Sequence, residues 1–233
     1  MAYLLDVVRN GILSSHELSE TCHAEIYDGS ALPQINPKAL SSVILDRLRV
    51  MDCGVNEIIV NKYSRFPTAN ICGILLLNRG VATIYVNSNR TECWQRFTVC
   101  KELLQLYIDC TKAPSAASIY TGSDIVKQIE DLVETQDKLK TATLATTGFH
   151  GSLDPFSDKV SSEMEAIATA IDLVFPKKLK KQIISDVPIF VASGGYKWLD
   201  IAEIVKMPEY VVNTYYRSFH NISIDLIPPD TRA

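Results

Sequence analysis

The sequence lacks most of the features that announce a function class. No apolar stretch reaches the length needed to cross a bilayer, so no membrane partner is expected. The opening MAYLLDVVRNGIL places Asp6 before any basic residue and has no basic n-region, so it reads as an amphipathic helix and not as a signal peptide. Four histidines, His16, His23, His150 and His220, are scattered, and none forms a recognisable ligand pair with another. Six cysteines, Cys22, Cys53, Cys72, Cys93, Cys100 and Cys110, contain no CxxC pair and no regular spacing. They read as reduced, buried, small apolar residues of a cytoplasmic protein. Charge of one sign is also scarce: 23 Lys and Arg stand against 27 Asp and Glu, a net charge of −4. That balance argues against direct nucleic-acid binding, which needs clustered cations for phosphates. One basic run, Lys177, Lys178, Lys180 and Lys181, reads as a solvated helix start.

What remains is ordinary globular composition, with 47% apolar and 21% charged residues in 233. This length suits one domain with additions or two small ones, and it can bury a core without staples. Residues 2–13 and 15–24 read as two short helices, with Ser14 or Ser15 as the cap of the second. Residues 25–36 form a linker around Asp28, Gly29, Ser30 and Pro33. Asn36 and Pro37 open a helix to about Met51, in which Leu40, Val43, Ile44, Leu48 and Met51 recur at helical spacing. Three β-like runs follow at Glu57–Asn61, Cys72–Leu77 and Val81–Asn87, the last two joined by a hairpin turn at Asn78, Arg79 and Gly80. A strong helix over Glu92–Asp109 carries Trp94, Phe97, Cys100, Leu104 and Tyr107 or Ile108 on its apolar face. Further helices are expected over 123–141 and 161–175. Long loops cover 112–122 and 142–158, and a short apolar run occupies 187–192. A closing pair spans Trp198–Val205 and Pro208–Phe219.

The stretch Ala82 to Leu106 carries the most specific pattern. Tyr85, Val86 and Asn87 close a strand; Arg96, Phe97, Thr98 and Val99 open a helix; Lys101, Glu102, Leu103, Leu104 and Gln105 follow. Further on, Glu163, Met164, Glu165 and Ala166 run to Leu173, Val174, Phe175 and Pro176. This order resembles the ImmA/IrrE family of zinc metallopeptidases. There, a strand ending "hxVN" precedes a helix reading roughly "RFTxAHELGH", and a later helix reads roughly "ExEANxFAxxLLMP". The spacing from Glu165 to Pro176 matches the family pattern without a gap. Ala166 and Ala170 match too, while Ile167 and Thr169 depart from the usual Asn and Phe. Ile201, Ala202, Glu203, Ile204 and Val205 through Val212 resemble the family's closing "LAxxFxVSxxAV". The resemblance spans about Pro37 to Phe219.

The resemblance implies an α+β fold on a zincin-like metallopeptidase scaffold, with a small, mostly antiparallel sheet packed by helices. It divides the chain into an N-terminal helical extension (1–35), a metallopeptidase-like domain (36–180) and a C-terminal strand and helix pair with tail (181–233). In an HExxH helix the two histidines, four apart on one face, bind one zinc ion. The glutamate between them is the general base towards a metal-bound water. Here Lys101 stands at the first histidine position and Gln105 at the second. Glu102 keeps the general-base position and is expected to be inactive, and Glu165 keeps the third-ligand position. No metal or other cofactor is therefore expected.

Each residue also has a plainer reading. Lys101 is either a solvated helix lysine or an ammonium in the vacated metal position, paired with Glu165. Without the pairing charge, two carboxylates in one pocket repel and one pKa rises. The amide oxygen of Gln105 suits harder cations better than zinc. Cys100 is turned about a hundred degrees from Lys101 on the helix and reads as core. His150 reads as a surface loop residue, so a Cys100–His150 catalytic pair is not favoured.

Members of the family act on helix-turn-helix repressors or antitoxins in phage, mobile-element and stress-response settings. The expectation is thus a degenerate pseudopeptidase: a regulatory or protein-interaction module, with a helix-turn-helix regulator as the expected partner. Two alternatives stand beside it. One is an active metal-dependent endopeptidase with an altered site. The other is a DNA-binding transcriptional regulator using Trp198–Phe219, although that segment offers one arginine, Arg217, to phosphate.

Overall fold

The structure is a computed structural model and describes residues 2–27, 34–66, 72–112, 158–175 and 198–215. The elements are α1 (Ala2–Ile26), α2 (Pro37–Val50), β1 (Glu57–Tyr63), β2 (Gly73–Asn78), β3 (Val81–Asn87), α3 (Glu92–Lys112), α4 (Asp158–Leu173), α5 (Trp198–Val205) and α6 (Glu209–Thr214). This is an α+β fold. The helix expected over 123–141, the loop with His150, the lysine run 177–181 and the apolar run 187–192 lie outside the described residues. No helix among the described residues is long and apolar enough to cross a membrane.

The chain divides into two compact units, one of residues 1–40 and 164–233, the other of residues 41–163. Within the first unit, α1 packs at Gly11 against Glu165 and Ala168 in the middle of α4.

In the unit of residues 41–163, β3 lies between β1 and β2. β2 and β3 form the antiparallel hairpin expected from sequence, with Asn78 opposite Val81. Arg79 (φ 48°) and Gly80 (φ 82°) both adopt the left-handed conformation of a two-residue type I′ turn. β1 pairs with the other edge of β3 in parallel, from Glu57 opposite Val81 to Tyr63 opposite Asn87. The sheet is therefore mixed, not mostly antiparallel. A hairpin partner occupies only one edge of β3, and the free edge accepts β1 running in the same direction. The turn from α2 to β1 rests on the hairpin tip: the Gly80 carbonyl accepts the Asn56 N–H at 2.7 Å.

Strand periodicity separates the two sheet faces. Ile74, Leu76 and Tyr85 share one face, where Phe66 joins them. Gly73, Leu77, Ala82, Ile84 and Val86 share the other, and that face meets α3. Ala82, Ile84 and Val86 are buried, as are Phe97, Cys100, Leu103, Leu104 and Ile108 of α3. α2 begins as expected: the Asn36 Oδ1 accepts the backbone N–H groups of Lys38 (3.1 Å) and Ala39 (3.3 Å), an N-cap before Pro37.

In the other unit, α1 runs unbroken through Ser14 and Ser15, and its two helical pieces meet at a kink at Cys22. Ser15 is buried within it and does not cap a second helix, and the irregular residue is Cys22 (φ −129°, ψ 21°) near its end. Gly11 sets the close approach of α1 to α4. A Cβ at Gly11 would lie 2.7 Å from the Glu165 carbonyl oxygen and 2.9 Å from the Ala168 Cβ, so a small residue here lets α1 lie directly on α4. The Tyr27 hydroxyl donates to the Leu173 carbonyl at 2.7 Å, and Phe175 stacks on Tyr215 at 4.3 Å between ring centres. α5 and α6 turn on Lys206 (φ 55°).

Candidate functional site

The helix carrying Lys101, Glu102 and Gln105 is seated by the residues just before it. Asn87, the last residue of β3, is buried, and its side-chain oxygen accepts the Asn89 N–H at 3.0 Å. Its backbone N–H donates to the Cys72 carbonyl at 2.9 Å. An asparagine at the strand end thus starts the turn that leads into α3. Gln95 closes the same turn from the helix side, donating to the carbonyls of Arg90 (2.6 Å) and Ser88 (3.3 Å). One helical turn on, the Thr98 hydroxyl bonds back to the Trp94 carbonyl at 2.8 Å, and its methyl group meets the first residue of β2. A Cβ at Gly73 would overlap Thr98 Cγ2 and lie 2.9 Å from the Tyr85 carbonyl oxygen. The "VN" and "RFT" parts of the motif therefore have structural work independent of any metal.

Glu102 and Gln105 are buried, and Lys101 is nearly so. The plain reading of Lys101 as a solvated helix lysine is overturned: its side chain is 12% exposed and that of Glu102 is 8% exposed. The Lys101 Nζ lies 3.3 Å from Glu102 Oε1. Successive residues on a helix point in different directions. This pair therefore forms only because the long lysine stem folds over to bring its ammonium to the carboxylate. Gln105, four residues on, donates from Nε2 to Asp109 Oδ1 at 2.9 Å.

This donor set does not fit zinc. A protonated ammonium offers no lone pair, and the Gln105 amide oxygen is a hard donor. Among the described residues, no three His, Cys, Asp or Glu side chains are grouped to hold a metal ion.

Glu165, the fourth site residue, lies on α4 in the other compact unit. It is buried, and its carbonyl accepts the Thr169 hydroxyl at 2.8 Å. That bond gives a local role to the threonine standing where the family pattern has phenylalanine. Cys100 is fully buried, and burial pushes its thiol up to about 12, which suits a packing residue and not a nucleophile.

Sequence reasoning missed two neighbours of Lys101 and Glu102. Burial pushes the Cys72 thiol up; the Arg90 charge and its hydrogen bond to the thiol pull it down; Glu102 pushes up and Lys101 pulls down. Cys72 and Arg90 thus share the surroundings of the Lys101–Glu102 pair. No spacing in the sequence indicates this, because Cys72 reaches α3 only through strand register. A second buried pair, His16 Nε2 with Asp172 Oδ2 at 3.5 Å, was likewise unmarked, since its partners lie on α1 and α4.

The closing pair α5 and α6 offers little to DNA. α6 spans 6 residues, less than two turns. Among the described residues of the pair, the exposed side chains are Glu203, Lys206, Glu209 and Tyr210, two acids to one base. Arg217 lies outside the described residues.

No protein-family model, curated protein or solved structure matches the chain.

Proposed function

We propose that this chain is a catalytically degenerate ImmA/IrrE-like pseudopeptidase, a cytoplasmic regulatory module that binds a protein partner without cutting it. The observation supporting this reading is the 3.3 Å contact between Lys101 Nζ and Glu102 Oε1. The residue at the first ligand position supplies a positive charge to the general-base carboxylate. A general base must be free to take a proton from water, and an ammonium held against it opposes that step. The expected partner class, from the resemblance, is a helix-turn-helix repressor or antitoxin.

Two measurements test the reading. The purified chain, incubated with zinc and desalted, is expected to retain far less than one equivalent by elemental analysis. Stoichiometric zinc, abolished by Glu165→Ala, would overturn the pseudoenzyme and favour an active hydrolase. Co-purification from native cells with mass spectrometry identifies the partner, which is expected to be recovered intact. Specific cleavage of that partner by the purified chain would refute the proposal.

A further inference from the structure

The sequence offers no paired cysteines, yet folding brings two together. Cys53 follows α2 and Cys110 lies in the last turn of α3, far apart in sequence but within one compact unit. The Cys53 Sγ lies 3.8 Å from the Cys110 carbonyl oxygen, and Cys53 is close enough to act on the Cys110 thiol electrostatically. Both are free thiols, 3% and 2% exposed. We infer that Cys53 and Cys110 form a redox-active dithiol, a covalent modification site that closes to a disulfide under a thiol–disulfide buffer such as glutathione.

Packing alone does not require two thiols here, since alanine or valine fills such space without an S–H group to satisfy. The location also favours access. Cys53 sits between the exposed Asp52 (φ 54°) and Gly54 (φ 71°), and Cys110 is followed by the exposed Thr111 and Lys112 at the end of α3. Local opening of a turn and a helix end therefore admits an oxidant without global unfolding. Burial foremost, and then the neighbouring Cys53, push the Cys110 thiol up to about 12. The closed Cys110 thiol thus stays protonated and reacts slowly, unlike an exposed catalytic CxxC.

The chemistry balances through two exchanges. The Cys53 thiolate attacks one sulfur of oxidised glutathione, forming a mixed disulfide and releasing one glutathione thiolate. The Cys110 thiolate then attacks the Cys53 sulfur and releases the second. Two protons leave the protein, and its two electrons reduce glutathione disulfide to two thiols. The resulting link encloses all three strands and most of α3, tying the end of the helix that carries Lys101, Glu102 and Gln105 to the turn resting on the hairpin tip.

The full chain, reduced and then equilibrated natively in glutathione buffers of graded poise, is quenched in acid, alkylated and mapped by mass spectrometry. A peptide joining Cys53 to Cys110, about 2 Da lighter than the sum of its reduced parts and lost on reduction, is expected to accumulate. Oxidation is also expected to raise the thermal midpoint by roughly 5 °C or more, and not in Cys53→Ala or Cys110→Ala. Absence of the linked peptide while Cys22, Cys72 or Cys93 takes up glutathione would overturn the inference. It would leave the pair as packing residues. The wild-type map decides the matter even if an alanine variant fails to fold.

Discussion

Replacing Lys101 by methionine keeps the stem and removes the charge beside Glu102. The separation of 3.3 Å gives a Coulomb attraction of about 5 kcal/mol at an effective dielectric of about 20. Against it stands the desolvation of two largely buried ions, several kcal/mol each in order of magnitude. The intact pair is thus close to break-even relative to neutral groups, but a single truncation removes the attraction while the remaining charge stays desolvated. We expect Lys101→Met to cost about 2–4 kcal/mol, below the upper end for fully buried pairs because both side chains keep some contact with water. Lys101→Met/Glu102→Gln should cost less than the sum of the two single changes by about 2 kcal/mol, the signature of coupling. Urea unfolding with linear extrapolation measures each variant, with an unchanged slope confirming that the folded states are comparable. A Lys101→Met cost under about 0.5 kcal/mol, or strict additivity in the double variant, would refute the claim that this lysine is coupled to Glu102.

Gly73→Ala should destabilise by about 1–3 kcal/mol, because the new methyl group overlaps the back-bonded Thr98 and approaches the Tyr85 carbonyl. Adding Thr98→Ser, which deletes Cγ2 and keeps the hydroxyl, should recover part of that loss in the same urea assay. Asn36→Ala removes the cap of α2 and should cost about 1 kcal/mol, read as a lower thermal midpoint. Burial raises Cys100 from 9.0 to about 12. The unfolded chain therefore loses this proton first, and the contribution present below pH 9 is lost as pH rises towards 12. Stability measured between pH 8 and about 10.5 should fall less steeply in Cys100→Ala than in wild type; parallel curves would assign the alkaline loss to other groups.

The elements legible in the sequence were those with a local cause. The β2–β3 turn was marked by Asn78, Arg79 and Gly80, and the structure places Val81–Asn87 as the strand after it. The apolar spacing of Phe97, Cys100, Leu104 and Ile108 marked α3, which runs three residues past the expected Asp109, to Lys112. Ser14 and Ser15 misled, because serine is a good cap only when its hydroxyl faces an open helix end. Within α1, Ser15 is buried in mid-helix, and the break falls at Cys22 instead. Glu57–Asn61 was visible as a strand, but its parallel pairing was not, since a single strand carries no mark of its neighbour's direction.

By itself, the sequence determined that Lys101, Glu102 and Gln105 follow Asn87 at fixed spacing, that acids stand at Glu163 and Glu165, and that helix and strand periods alternate as in an α+β chain. Those are statements of residue type and spacing, which covalent order carries completely. Tertiary structure decided the rest: β3 as the central strand, the Lys101 ammonium folded onto Glu102, Cys72 and Arg90 beside them, and Cys53 against Cys110. Each of these joins groups whose meeting depends on sheet register or on how a side chain is turned when water is excluded. Neither register nor desolvation is a property of a local window of sequence.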